Sequence, residues 1–240
     1  MKNTYKIIKD PESLYRFIDW LPDLQIHETY YVILFARKKY CQDIKSIKSD
    51  KAQLKRFTSN KEILLQKLEQ LECPIGAYRQ KGDIVVPQEA LAVYINPNPR
   101  NIEKAARNSL IKLAHLCTKP YQGYNPHQEV MSEIQKTKGK TRFVNFDFDF
   151  NSNKYFYHLM DWIRDRTGWD SGINTFIRTR GGCHVLVRPD KIREISEYST
   201  IKSTWYNNIR KNQYCESFGD MMIPIPGCTQ GNFVPQLILI

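Results

Sequence analysis

The chain has 240 residues, of which 41% are hydrophobic and 25% are charged. This length is enough for one large or two small domains with a buried core, and the aromatic content of 12% excludes a disordered or fibrous polymer. The 36 Lys and Arg residues outnumber the 25 Asp and Glu residues and give a formal net charge of +11. A surplus of this size attracts polyanions, and nucleic acid is the commonest polyanion in a cell.

The sequence carries no pattern for export or for membrane insertion. It has no run of about 18 apolar residues, and its first residues lack the apolar stretch of a secretory signal. The six cysteines are far apart, so no disulfide framework is predicted. His115, Cys117 and His127 could form part of a zinc site, but ordinary roles without a metal are favoured. We therefore expect an intracellular, cytoplasmic protein with no membrane partner.

Residues 1–140 are predicted to form an α/β unit that ends in a polar connector. Three short runs rich in β-branched and aromatic residues are the predicted strands: 30–36, 84–87 and 91–95. One helix is predicted after the capping box Ser59–Glu62. A second helix is predicted to carry Ala106, Leu110 and Leu113 on its apolar face. The connector has room for one further short helix.

Residues 141–240 form the second predicted unit. Its predicted elements, in chain order, are a strand at 143–150, a helix at 152–166, strands at 174–180 and 183–187, a helix at about 189–211, and strands at 219–225 and 233–240. The order βαββαβ is typical of ferredoxin-like and RNA-recognition-type sheets, in which the first strand lies between the third and the fourth. The predicted fold class is α+β, with the N-terminal α/β unit packed on this sheet in one domain.

Two carboxylates share one face of the predicted strand 143–150. Alternation directs Asn145, Asp147 and Asp149 to one face and four apolar side chains to the other. Carboxylates so close together repel each other unless a cation lies between them, and their oxygens suit the divalent cations of phosphoryl-transfer sites. An exposed strand with solvated acidic residues is the alternative. The apolar opposite face favours a buried central strand, and so a site for Mg²⁺ or Mn²⁺.

The hairpin that follows carries Arg178, Arg180, two glycines and His184. Guanidinium and imidazole groups donate hydrogen bonds to phosphate oxygens, and glycine lets the backbone approach a ligand. A plain hairpin with solvated arginines and a structural histidine is the alternative. Because the topology places this hairpin beside the Asp147 strand, we interpret Arg178, Arg180 and His184 as nucleotide-binding residues.

These segments resemble the archaeo-eukaryotic primase superfamily, in particular its plasmid and phage primase-polymerases. The resemblance covers roughly residues 140–235 and rests on three motifs: the Asp147–Asp149 strand, the element Gly182–His184, and the segment Gly219–Gly227. It implies that Asp147, Asp149 and the Asp220 of the third motif are catalytic metal ligands. It also implies that His184 contacts the phosphates of the incoming nucleotide.

The third motif departs from the family pattern in two ways. Asp220 follows a glycine, and Ile225 stands where related proteins often have a basic residue. Glu216 is therefore the nearby alternative to Asp220.

The activity implied by the resemblance is template-directed nucleotidyl transfer with two metal ions, as in a DNA primase that could also extend primers. The implied partners are single-stranded DNA and nucleoside triphosphates, and a replicative helicase could act beside them. Basic residues that follow predicted strands are the candidate nucleic-acid contacts: Arg37, Lys38, Lys39 and Arg100. Tyr121, Tyr124 and Trp205 could stack on bases.

Three other functions stay open. A metal-dependent nuclease would use the same ions. An Asp-x-Asp glycosyltransferase is less favoured, because no Rossmann-like series of strands precedes the motif and the charge suits a polyanion better. A non-catalytic nucleic-acid-binding module usually presents aromatic side chains on the exposed sheet face, where this chain has carboxylates.

Overall fold

A computed structural model describes residues 3–41, 52–80, 83–118, 125–150, 152–167, 174–191, 206–207 and 209–239. In chain order its helices and strands are α1 (Pro11–Trp20), β1 (Glu28–Ala36), β2 (Ala52–Ser59), α2 (Lys61–Glu69), β3 (Arg79–Gln80), β4 (Ile84–Val85), β5 (Leu91–Ile95), β6 (Arg100–Asn101), α3 (Ile102–Thr118), α4 (Pro126–Lys136), β7 (Val144–Asp149), α5 (Asn153–Thr167), β8 (Asn174–Thr179), β9 (Gly182–Val187), β10 (Cys215–Gly219), β11 (Ile223–Pro224) and β12 (Gln236–Leu239). The class is α+β, as predicted.

The first sheet has the strand order β11-β5-β1-β2, with β6 paired to β1. Its central strand β1 is buried on both faces, because helices cover each side. Val32 and Leu34 pack into a core with leucines of α1 and α2. Tyr31 and Ile33 point the other way and pack against α3 and α4.

Two local predictions for this unit are wrong. The side chain of Asn60, and not Ser59, caps α2 by accepting a hydrogen bond from the backbone N–H of Ile63. The predicted apolar face of α3 is exposed: Leu110 is 65% accessible, whereas Ala105 and Ser109 are buried.

The helix α4 explains the orientation of α3. It forms within the predicted connector, and its Glu129 and Glu133 accept hydrogen bonds from Lys112 of α3. These polar contacts and the small side chains of Ala105 and Ser109 turn the leucine stripe of α3 outward.

The second sheet has the order β10-β7-β9-β8-β12, and every pairing in it is antiparallel. The predicted pairing of the acidic strand β7 with the His184 strand β9 is confirmed, whereas its other neighbour is β10 and not the predicted strand 219–225. One face of β7 packs on α5, through Phe146 and Phe148 against Phe156, Leu159 and Ile163. This is the apolar face that the alternation predicted.

The predicted strand 219–225 is wrong. The chain leaves the second sheet at Gly219, which has a φ of +129°, a conformation that favours glycine. Ile223–Pro224 then pairs with β5 in the first sheet. The predicted boundary near residue 140 is thus crossed by β11. Most of the predicted helix 189–211 lies outside the described residues.

The two sheets meet in a common apolar core. Ile177, Leu186 and Leu237 of the second sheet pack in the same cluster as Val32 and Leu34 of the first. Only part of the inner face of the second sheet is covered in this way, and the rest borders a cleft. No described helix combines the length and the apolar character needed to cross a membrane.

Candidate active site

A cleft of about 490 Å³ lies between the end of the first sheet and the inner face of the second. The side chains with which it can bind a charged ligand come from both sheets: Arg37, Lys39, Tyr94, Asp147, Asp149 and His184. Five of these are predicted site residues: Asp147, Asp149 and His184 as metal- or nucleotide-binding residues, and Arg37 and Lys39 as nucleic-acid contacts. The structure brings them together.

Asp147 and Asp149 extend side by side from β7. Their cross-strand neighbours on β9 are His184 and Gly182, respectively. Burial raises the pKa of Asp149 above its ordinary value, and the charge of Asp147 raises it further. A carboxyl in this situation is stabilised in its charged form when a cation binds nearby.

His184 lies directly opposite Asp147, with its Nδ1 3.5 Å from Asp147 Oδ1. Its side chain is 9% exposed, and burial lowers its pKa, so the imidazole is neutral at neutral pH. Nδ1 has no hydrogen-bond partner among the described residues. A neutral imidazole held in this position can form a hydrogen bond with a ligand in the cleft.

Gly182 allows β9 to approach β7 closely. A Cβ atom at this position would lie 1.9 Å from the carbonyl oxygen of Phe148. Gly182 is therefore needed for the close contact between the two backbones. The sequence pattern instead predicted that it lets the backbone approach a ligand closely. Gly181, the next residue in the turn, lines the cleft.

The two predicted phosphate-binding arginines lie apart. Arg178 pairs with Cys183, and its guanidinium lies 5.7 Å from the ring centroid of Phe156 on the α5 side of the sheet. It thus points away from His184, which occupies the opposite face. Arg180 lies in the turn, with its guanidinium 4.8 Å from the ring centroid of Tyr40. The assignment of Arg178 to the nucleotide site is not supported by this geometry.

Asp220 and Arg100 bind each other. Arg100 donates a hydrogen bond to Asp220 at 2.7 Å, and their side chains are only 4% and 10% exposed. Asn98 donates a second hydrogen bond to Asp220 at 3.1 Å. The chain has left β10 at this point, and Asp220 does not line the cleft that holds the acidic pair. The predicted metal ligand Asp220 and the predicted nucleic-acid contact Arg100 neutralise each other inside the protein.

Glu216 is the third carboxylate near the acidic pair. On β10, Ser217 lies opposite Asp147 and Cys215 lies opposite Phe148, so Glu216 is the extra residue of a β-bulge. Its charge contributes to raising the pKa of Asp149. Glu216 is exposed and does not line the cleft, so its role as the alternative to Asp220 stays a prediction.

The described part of the chain contains no group of three His, Cys, Asp or Glu residues arranged to hold a metal ion. Mg²⁺, however, is commonly bound by one or two carboxylates, with substrate phosphates and water as its other ligands. Asp147 and Asp149 fit this kind of site, because they carry adjacent charges whose mutual repulsion a divalent cation would relieve.

The opposite wall of the cleft is basic. Arg37 is 7% exposed and donates a hydrogen bond to the hydroxyl of Tyr94 at 3.0 Å. Lys39 lies near Asp149 and His184, because its charge lowers the pKa of both groups. At Asp149 the effects of burial and of Asp147 are larger, so the net shift of that pKa is upward. Lys38 is exposed and does not line the cleft.

Sequence reasoning missed Tyr94 and Gln230. Tyr94 belongs to a predicted strand but carries no mark of function, and Gln230 follows a loop that no pattern connects to the cleft. The predicted stacking residues Tyr121, Tyr124 and Trp205 lie outside the described residues. The side chain of Cys117 also lies outside them, while His115 is on α3 and His127 on α4.

The chain matches no protein-family model, and no curated protein or solved structure is significantly similar to it. The functional interpretation accordingly depends on the geometry of the cleft.

Proposed function

We propose that this protein is a nucleotidyltransferase of the primase type, which joins nucleoside triphosphates on a single-stranded DNA template. The observation that carries the proposal is the pair Asp147 and Asp149 on one strand, directly beside the neutral His184, in a cleft whose opposite wall carries Arg37 and Lys39. Acidic and basic walls that face each other suit a substrate in which a divalent cation is bound to a polyphosphate.

Each wall has a distinct part in this reaction. Asp147 and Asp149 would hold Mg²⁺ or Mn²⁺, which lowers the pKa of an attacking hydroxyl and neutralises the departing pyrophosphate. His184 forms a hydrogen bond with a phosphate oxygen and, being neutral, adds no charge next to the metal ligands. The cations of the opposite wall hold the remaining phosphate oxygens. Catalysis is then mainly a matter of position and charge stabilisation.

The proposal includes membership of the archaeo-eukaryotic primase superfamily, with a change at the third acidic position. Asp147, Asp149 and His184 lie together as that resemblance implies. At the third acidic position the proposal departs from the resemblance: Asp220 is paired with Arg100, and Glu216 is a further carboxylate whose charge acts on Asp149.

A ferredoxin-like arrangement of the second unit is also part of the proposal. The order β10-β7-β9-β8 and the antiparallel pairings support it, with β12 added next to β8. The proposed partners are single-stranded DNA and nucleoside triphosphates, which the net charge of +11 favours. We also propose a replicative helicase as a partner and the cytoplasm as the location of the protein.

The direct test is primer synthesis on single-stranded DNA with labelled nucleoside triphosphates and Mn²⁺. We expect labelled oligonucleotides from the wild-type protein. Asp147→Asn and Asp149→Asn should each reduce the yield at least about a hundredfold, because a neutral amide is a poor ligand for a hard divalent cation. DNA binding should be retained or strengthened, since a negative charge is removed.

Asp23→Asn is the matched control, because the Asp23 side chain is 95% exposed and lies outside the cleft. It should leave synthesis unchanged. Undiminished synthesis by the Asp147→Asn, Asp149→Asn double variant would refute the proposal. Shortening of a labelled DNA strand instead of synthesis would identify a metal-dependent nuclease.

A further inference from the structure

The basic wall of the cleft contains a cation that the protein fixes in place. Arg37 is buried but lines the cleft. Its guanidinium lies 5.6 Å from the ring centroid of Tyr40 and 5.7 Å from that of Tyr94. Contacts with two rings and a hydrogen bond to Tyr94 orient the planar group before any ligand arrives, and a planar guanidinium can bind two phosphate oxygens at once.

The hydroxyl of Tyr94 is the centre of a small hydrogen-bond network. It accepts from Arg37 at 3.0 Å and from the side-chain amide of Gln230 at 3.4 Å. A third hydrogen bond, 3.3 Å long, joins it to the hydroxyl of Tyr40. Tyr94 therefore holds Arg37 in one orientation.

The same network connects the two walls of the cleft. The side-chain oxygen of Gln230 accepts a hydrogen bond at 2.9 Å from the backbone N–H of Arg180, in the turn between β8 and β9. The strand after this turn carries His184. Gln230 thus ties the position of Tyr94, and with it Arg37, to the strand that presents the imidazole.

Arg178 points to the α5 side of the sheet and does not line the cleft, whereas Arg37 and Lys39, which follow β1, do line it. We infer that Arg37 and Lys39 bind the polyphosphate of the substrate and that Tyr94 is the positioning residue for Arg37. This inference rests on the proposed function and specifies how the same cleft recognises the triphosphate.

The test uses inorganic tripolyphosphate with Mg²⁺ as the probe and isothermal titration calorimetry as the measurement. Loss of a hydrogen-bonded charge should make Arg37→Gln bind about 10- to 100-fold more weakly. Tyr94→Phe keeps the ring and should weaken binding about three- to tenfold. Arg178→Gln and the charge-matched control Arg79→Gln, on the β3–β4 hairpin, should bind like the wild type.

A double-mutant cycle separates positioning from general structural damage. If Tyr94 acts through Arg37, Tyr94→Phe should have little further effect in the Arg37→Gln background. Melting temperatures are recorded for all variants. Should Arg37→Gln fail to fold, Arg37→Lys decides the matter: it keeps the charge without the planar fork, and it should bind several-fold more weakly than the wild type.

Wild-type affinity in Arg37→Gln, or lost affinity in Arg178→Gln with an unchanged melting temperature, would overturn the inference. So would additive effects in the cycle, or a folded wild type that does not bind tripolyphosphate. The primer-synthesis assay reports separately on the proposed function. A protein that synthesises primers but does not depend on Arg37 refutes the inference alone.

Discussion

At the scale of single residues, Asp149 shows how the charges of the cleft act on one another. Burial and the charge of Asp147 raise its pKa, Glu216 raises it further, and Lys39 lowers it. A raised pKa means that the folded protein binds this proton more tightly than the unfolded chain does. As the pH falls through the raised pKa and Asp149 takes up its proton, the free energy of unfolding of the metal-free protein increases. The affinity of the cleft for divalent cations decreases over the same pH range.

These opposing effects on the pKa of Asp149 predict shifts of opposite direction in two variants. In metal-free protein, Glu216→Gln removes a negative charge and should lower the pKa of Asp149, whereas Lys39→Gln removes a positive charge and should raise it. Carbon-detected NMR titration of the Asp149 carboxyl measures both shifts. Shifts in the same direction, or no shift in either variant, would contradict the placement of these two residues around Asp149.

The site was predictable from sequence where local pattern and topology sufficed. Alternation along 143–150 identified Asp147 and Asp149, and the strand order placed His184 beside them. The prediction for Arg178 failed because side chains alternate between the two sheet faces along β8 and β9. The turn pairs Arg178 with Cys183, so Arg178 lies on the face opposite His184. The buried pair of Arg100 and Asp220 joins segments 120 residues apart, and no local pattern contains such a contact.

At the scale of elements, the backbone approach between β7 and β9 fixes the geometry of the acidic strand. Gly182→Ala places a methyl group against the carbonyl of Phe148 and forces the strands apart. We expect the free energy of unfolding to fall by about 3 kcal/mol or more, measured by chemical denaturation. Gly181→Ala is the control, because its Cβ would lie 3.7 Å from Asp149 Oδ1, an ordinary contact. Equal effects of the two changes would contradict this account.

Most elements were predictable because their hydrophobic periodicity is strong. The helix α5 and the hairpin β8–β9 have clear patterns and apolar partners on one side. The predicted strand 219–225 is wrong because the apolar residues 221–225 fit a continuous strand as well as they fit a crossing between two sheets. The buried face of α3 was mispredicted for a similar reason, because its partner α4 makes polar contacts with it. A search for apolar stripes does not take such contacts into account.

At the scale of the whole molecule, the ion pair of Arg100 and Asp220 joins β6 to the segment where the chain passes between the sheets. Arg100→Met leaves the buried carboxylate of Asp220 without its main counter-charge and should lower the free energy of unfolding by about 3–5 kcal/mol. Arg79→Met breaks an exposed ion pair with Asp83 and should cost less than about 1 kcal/mol. Chemical denaturation compares the two, and similar small losses would contradict a structural role for the buried pair.

The same ion pair makes a functional prediction. Asp220→Asn should reduce stability but retain primer synthesis at a temperature where the variant is folded. Complete loss of synthesis in the folded variant would return Asp220 to the set of metal ligands.

The central claim is that the cleft between the two sheets binds a divalent cation together with a nucleoside triphosphate. The most direct measurement is the anomalous scattering of Mn²⁺ in crystals grown with Mn²⁺ and a non-hydrolysable nucleoside triphosphate. The account predicts an anomalous peak within ligand distance of Asp147 and Asp149, with the phosphates between His184 and Arg37. A nucleotide bound elsewhere, or an acidic pair that holds no manganese at saturating concentration, would contradict it.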